Sequence, residues 1–159
     1  MAIRRLQSEL KQIIKDPNYY YSISPDENNF FKWNFIIIGP EDTLYEGGIF
    51  NGYINFKRNY PNTAPEVIIT SDMYHPNIYK NGKVCMSILH NGRDEYGYEN
   101  DSIRWNPTQG VNSIMMSLIS ILSDPNTDSP ANIDASNMLS NNFEKFKYIV
   151  RKLVQESQN

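Results

Sequence analysis

Ile49-Phe50-Asn51-Gly52-Tyr53-Ile54-Asn55-Phe56 alternates cleanly between apolar and polar residues. Phe50, Ile54 and Phe56 fall on one side, and Asn51, Tyr53 and Asn55 on the other. A period of two predicts a strand with one covered face and one wet face. Upstream, Phe30–Ile38 is rich in aromatic and β-branched residues and reads as a longer strand. Tyr19–Ile23 is read as a strand before it, and Val67–Thr70 as a short one after. Turn signals separate the four: Ser24-Pro25-Asp26, Gly39-Pro40-Glu41-Asp42, and Tyr60-Pro61 through Pro65. These intervals are too short for crossover helices, so the strands should form an antiparallel meander.

Helical periodicity flanks the strands. Residues 2–15 place Ile3, Leu6, Leu10 and Ile13/Ile14 at helical spacing, and Asp16-Pro17 ends the run. Val111–Ser123 carries Val111, Ile114/Met115, Leu118 and Leu122 on one face and stops at Asp124-Pro125. A short helix is expected over Ala131–Leu139. A last one over Asn142–Glu156 turns Phe143, Phe146, Ile149/Val150 and Leu153 inward. Strands followed by helices make an α+β domain, here a single one over residues 1–159.

Composition excludes several function classes. A net charge of −3 and a pI near 5.4 argue against generic nucleic-acid binding. The longest aliphatic-aromatic run, Phe35–Ile38, is far short of a span of ~20 residues, so no membrane span is expected. No apolar block near the N-terminus reads as a secretory signal. One cysteine and two histidines leave no intrachain disulfide and no cysteine- or histidine-based metal site.

Residues 71–110 show little periodicity, yet they hold Cys85, His75 and His90, the chain's only thiol and imidazoles. Ile78, Val84, Ile88 and Leu89 should pin much of this segment to the core. A lone cysteine is most often a small buried apolar residue, but one on a long loop is placed for chemistry. A cysteine protease needs a histidine base. His75 is locked before Pro76, and His90, five residues after Cys85, would not share a helical face with it. The protease reading is therefore set aside.

The stretch His75-Pro76-Asn77-Ile78-Tyr79-Lys80-Asn81-Gly82-Lys83-Val84-Cys85 resembles the active-site signature of the ubiquitin-conjugating (E2) enzymes. Tyr60-Pro61 with Pro65, Trp105-Asn106-Pro107 and Asp124-Pro125-Asn126 match further family marks in the same order. Between Cys85 and Trp105 lies an insertion of about a dozen residues relative to the minimal pattern. It carries Asp94, Glu95, Glu99 and Asp101. This is similar to the acidic-loop branch, whose members build proteasome-targeting ubiquitin chains and serve ER-associated degradation. The resemblance implies the UBC fold: an N-terminal helix, a four-stranded meander, an active-site loop and C-terminal helices.

It also implies an activity. Cys85 would take the ubiquitin C-terminus as a thioester from an activating enzyme (E1) and pass it to a lysine with a ligase (E3), expected to be of the RING type. ATP is used by the E1, so no cofactor and no metal are expected here. Thioester exchange is nearly balanced in energy, so loading needs no strong general base. Asn77 would either hydrogen-bond the oxyanion formed during lysine attack or brace the loop. His75 is expected to support the loop through local backbone bonds. The family often places an acid after the second main helix. That position falls on Ser129, one residue after Asp128, so this chain departs from the pattern: either Ser129 would help the gate sterically, or Asp128 and the acidic loop would supply the charge instead. The acidic insertion is either a solvated loop or a gate beside the reactive centre. Tyr96 and Tyr98 around Gly97 would form two anchors on a flexible joint, docking on the core or on an acceptor ubiquitin.

Partner surfaces follow from the same resemblance. Met116 and Ser120, on the outer face of the second main helix, would contact the donor ubiquitin. E1 and E3 contacts map to Arg4, Arg5 and Lys11, to Asn62 where the family commonly has a large apolar residue, and to Asn106, Pro107 and Thr108. The expected location is cytoplasmic, with nuclear residence or recruitment to the cytosolic face of the ER compatible with it. Two other functions compete: conjugation of a different ubiquitin-like modifier such as SUMO, and a non-catalytic ubiquitin-presenting module. Cys85 argues against the second, and the acidic insertion favours ubiquitin over the first.

Overall fold

The computed structural model describes residues 1–159. Helix α1 (Ala2–Lys15) leads into strands β1 (Tyr21–Asp26), β2 (Asn29–Ile38), β3 (Ile49–Asn55) and β4 (Glu66–Ile69). After a long irregular segment come α2 (Val111–Ser123), α3 (Ile133–Asn141) and α4 (Phe143–Ser157). The four strands form one antiparallel sheet in sequence order, flanked by helices, the α+β arrangement that the resemblance implies.

The alternation in β3 has the expected outcome. Phe50 and Ile54 are fully buried and Phe56 nearly so, while Asn51 and Asn55 face water. Register stacks Trp33, Ile54 and Val67 across three strands, and Phe35, Gly52 and Ile69 beside them. Gly52 is required there, because a Cβ would stand 2.5 Å from the Phe35 ring. The buried face of α2 adds Val111, Ile114, Met115, Leu118 and Ile119 to the same core.

Some boundaries and faces differ from the sequence reading. The first strand starts at Tyr21 rather than Tyr19 and runs through Pro25. Because β1 is an edge strand, the missing proline N–H costs no ladder bond, and a bulge follows at Pro25/Asp26. Ile3 and Ile14 are exposed; the seam of α1 runs instead along Ala2, Leu6, Leu10 and Ile13. Phe143 is the first residue of α4 and lies 48% exposed, one turn ahead of the buried Phe146.

The other sheet edge carries the functional segment. Residues 78–84 fold back as a narrow hairpin against β4, with Ile69 N–H donating to Gly82 O at 2.8 Å and Val84 N–H to Val67 O at 2.9 Å. Gly82 turns the chain at φ +92°, and a Cβ there would meet the Ile69 carbonyl at 2.0 Å. An unpaired edge is thereby covered, and the residue after Val84 is delivered to the rim of the sheet.

One side chain couples the first helix to the second. Glu9 on α1 accepts from Val111 N–H at 2.7 Å, at the start of α2, and also from the Tyr60 hydroxyl and from Arg5 Nε at 3.0 Å. A carboxylate at a helix N-terminus meets both free N–H groups and the positive end of the dipole. Glu9→Ala should lower unfolding free energy by about 1–3 kcal/mol, with Glu9→Gln in between. Urea denaturation checks this order; equal stability of all three proteins would mean the bridge contributes nothing.

Candidate active site

Cys85 sits at the end of the hairpin, half-buried between the buried Val84 and Met86. Its backbone N–H donates to Asn77 O at 2.8 Å. The thiol opens onto a groove of about 570 Å³ lined by Asn77, His90, Ser117, Ser120, Asn126 and Ser129. Burial pushes the thiol pKa up, the Glu99 carboxylate pushes it further, and Lys83 opposes the rise. At neutral pH the group is a protonated thiol, unlike the electropositive cysteines that react unaided.

His75, Pro76 and Asn77 tie three segments together. The His75 ring is fully buried. Its Nε2–H donates to Ile121 O at 2.7 Å near the end of α2, and its Nδ1 accepts from Asn77 N–H at 2.9 Å. Those bonds fix a neutral tautomer, and burial lowers the imidazole pKa to about 4. Pro76 O accepts from Ala131 and Asn132 N–H at 2.8 and 2.9 Å. The Asn77 amide donates to Asn126 O at 2.7 Å and accepts from Asn126 N–H at 2.9 Å. Asn77 is thus placed as a brace, and one amide proton remains outside these bonds. Ser129 and Asp128 lie exposed on the loop that this brace holds, and only Ser129 lines the groove.

The insertion is more ordered than a solvated acidic loop would be. Asp94 accepts from the N–H groups of Tyr96 and Glu99 at 3.0 and 2.8 Å, closing a tight turn. Arg104 clamps the segment, donating to Gly92 O at 2.7 Å, to Asn91 O at 2.9 Å and to the Glu99 carboxylate. Asp101 pairs with Arg93 at 3.2 Å, and Glu95 stays exposed. Burial alone would raise the Glu99 pKa, but hydrogen bonds from Ser87, His90 and Arg104 hold it below the usual carboxylate value. Tyr96 and Tyr98 do not dock on the core: their rings are 80% and 88% exposed and lie 6.4 Å apart. With Gly97 at positive φ between them, both rings project from the same turn.

His90 is the residue that the linear reading missed. A 3₁₀ turn over Ser87–Leu89 bends the chain back, and Trp105 N–H holds His90 O at 2.9 Å. His90 Nε2 then stands 3.8 Å from Cys85 Sγ, while its Nδ1 meets Glu99 Oε1 at 2.8 Å. The expectation that five-residue spacing separates the two side chains assumed a helix, and the chain is not helical there. The pairing of Glu99 with a histidine nine positions earlier had no signal in the sequence.

The remaining candidate residues divide by location. Met116 is 40% exposed, with Asn18 Nδ2 3.4 Å from its sulfur, and Ser120 is exposed on the same side of α2. Arg4, Lys11, Asn62, Pro107 and Thr108 are exposed, and Asn106 is partly so. Trp105 Nε1–H donates to Pro61 O at 2.7 Å, drawing the loops that carry Asn62 and Asn106 together. Arg5 is not a free surface cation. It donates to Pro107 O at 2.9 Å and Gln109 O at 2.7 Å and pairs with Glu9. Its charge fastens the 107–109 loop to α1. No helix is long and apolar enough to cross a membrane.

The family model described as ubiquitin-conjugating enzyme matches residues 5–154. "Ubiquitin-conjugating enzyme E2 7" of Arabidopsis thaliana is 50% identical over 155 residues, 96% of this chain and 93% of the relative. "Ubiquitin-conjugating enzyme E2 15" of Schizosaccharomyces pombe is 46% identical over 154 residues, 96% and 92% of the two chains. "Ubiquitin-conjugating enzyme E2 G2" of Homo sapiens is 44% identical over 158 residues, 98% and 96%.

The buried neutral His75 makes stability depend on pH. In the unfolded chain the imidazole takes up a proton near 6.5; in the folded chain it does so only near 4. The stabilisation is complete above 6.5 and is lost as pH falls through 4, in total about 3 kcal/mol near the lower value. His75→Asn should remove that share of the acid slope in urea denaturation followed between about pH 7 and 4. An unchanged slope would mean that His75 takes up its proton at the same pH in the folded and unfolded chains.

Proposed function

The chain belongs to the ubiquitin-conjugating enzyme family, and from that premise we propose that it builds ubiquitin chains of the proteasome-targeting linkage type together with a RING-type E3. As an E2 it is a transferase with a cysteine thioester intermediate, and Cys85 is the one thiol it has. Its partners are ubiquitin, an E1 and an E3. The thiol attacks the E1-bound thioester, the sulfur of the E1 leaves, and ubiquitin's C-terminal carbonyl moves onto Cys85. A lysine amine then attacks that carbonyl and Cys85 leaves as the sulfur group.

The observation that carries the chain-building reading is the insertion itself. It packs against the nucleophile through Glu99 and His90 rather than standing away from it, so whatever it meets outside is coupled to the reacting carbonyl. Tyr96 and Tyr98 present two exposed aromatic rings beside Glu95, a surface suited to an incoming protein acceptor. On α2, Ser120 lines the groove, and the exposed Met116 one turn before it would lie against the donor ubiquitin. Asn77 and the Asp128–Ser129 loop shape the approach of the lysine. The exposed residues Arg4, Lys11, Asn62, Asn106, Pro107 and Thr108 would serve E1 and E3 docking. The chain needs no cofactor of its own, because ATP is spent by the E1. It acts in the cytoplasm, with the nucleus or the cytosolic face of the ER as further sites of recruitment.

With E1, ATP and ubiquitin, the wild type should form a thiol-sensitive adduct, Cys85→Ser a thiol-resistant oxygen ester, and Cys85→Ala none. Charging with a different modifier in preference to ubiquitin would replace the ubiquitin reading. Single-turnover discharge to free ubiquitin, with linkage read by mass spectrometry, then tests chain building. Deleting residues 94–100 should slow chain formation by more than it slows charging. Chains of the same linkage at the same rate would mean the insertion has no part in it.

A further inference from the structure

The His90 imidazole links Cys85 to Glu99 through its two nitrogens. The imidazole places Nε2 3.8 Å from the sulfur, and Nδ1 is 2.8 Å from the carboxylate. A carboxylate at Nδ1 requires a proton there, which leaves the Nε2 lone pair directed at Cys85 in the neutral ring. Arg104 pairs with the same Glu99 oxygen that meets His90, and Trp105 fixes the His90 backbone. The ring is therefore held at both ends while one nitrogen faces the reacting atom. Long base–nucleophile distances are common before substrate is bound and shorten in the reacting complex.

We propose that His90 is a catalytic proton acceptor for transfer from Cys85, and that Glu99, from the acidic insertion, is its positioning residue. The inference rests on the reading of Cys85 as the thioester-bearing residue. During loading, the S–H proton of Cys85 passes to Nε2 as sulfur bonds to the ubiquitin carbonyl and the E1 sulfur leaves, taking the proton as it departs. During discharge, Nε2 takes the proton that the lysine ammonium must lose before it can attack and releases it to solvent. The freed amine forms the C–N bond as the C–S bond breaks, and its second proton goes to the departing Sγ, restoring the thiol. The net products are the amide, the Cys85 thiol and one proton to solvent, and no further reactant is required.

The raised thiol pKa fits this arrangement, because a protonated nucleophile needs somewhere for its proton to go. Charged groups around the pair are Glu99 and Arg104 from the segment after His90, and Lys83 from the hairpin before Cys85. Glu99 offsets the positive charge that the imidazolium acquires, as a carboxylate does in hydrolytic triads. The most buried carboxylate of the insertion thereby orients a base.

The experiment charges wild type, His90→Gln and Glu99→Gln with ubiquitin, isolates each thioester, and follows discharge to free lysine between about pH 6 and 9. His90→Gln should be slower by about 10- to 100-fold near neutral pH, with the gap closing as the amine loses its own proton at higher pH. Glu99→Gln should fall between the two and change the same acid limb. A loss by one constant factor at every pH, or no loss, overturns the proposal and leaves His90 a packing residue. Should His90→Gln fail to fold, the wild-type solvent isotope effect decides: a clear slowing in deuterated water supports the base, and none overturns it. Failure of wild type to charge at all would instead remove the reading of Cys85, so the two failures are distinct.

Discussion

The bonds made by Asn77 set the geometry on which the site depends. Its carbonyl holds the Cys85 N–H, its N–H is held by the His75 ring, and its side-chain amide clasps the Asn126 backbone on both sides. Asn77 is only 3% exposed, so each unmade bond would leave a buried polar group at a cost of about 1–3 kcal/mol. Pro76 adds its carbonyl to the loop before α3. The active-site hairpin, the end of α2 and the loop before α3 thus meet at one tripeptide. The nucleophile, the end of α2 and the loop over it cannot move independently. The groove keeps its shape because its walls share these bonds.

Electrostatics then sets what kind of nucleophile this is. Nothing near Cys85 lowers its pKa enough to release a thiolate; burial and Glu99 act the other way, and Lys83 opposes them only in part. A thiol of this kind resists adventitious oxidation and alkylation. It reacts where a partner brings an activated carbonyl into the groove in the right orientation. Positioning is therefore the main contribution of the fold, and it is a large one, since a well-oriented reaction gains several kcal/mol over a free encounter. The neutral, buried His75 belongs to this scaffold. The half-exposed His90 belongs to the chemistry. The two imidazoles of the chain are thereby separated by environment.

Much of this was legible in the residues. The alternation of Ile49–Phe56 and the apolar run of Phe30–Ile38 specified the sheet, because period-two patterning leaves one register that buries Phe50, Ile54 and Trp33. The spacing of Val111, Ile114 and Leu118 specified α2 in the same way. Pro25 obscured the first strand, since an edge position that tolerates proline cannot be distinguished from a turn before the sheet order is known. The exposed Ile3, Ile14 and Phe143 obey helical spacing yet lie beyond the contact seams, which depend on where neighbouring elements stop. The site was legible where the family signature is contiguous, from His75 to Cys85. It was not legible where a non-helical turn and an insertion bring residues together: His90 with Cys85, and Glu99 with His90 and Arg104. Glu9 escaped for the same reason, its partners Tyr60 and Val111 being distant in sequence.

The central claim is that Cys85 is positioned and not pre-activated. With one cysteine in the chain, the pH dependence of alkylation by iodoacetamide reports on that thiol alone. The account predicts a midpoint above that of an unperturbed cysteine thiol, read as the mass increase of the intact protein. A midpoint at or below about 8, within the range of activated thiols, would contradict it.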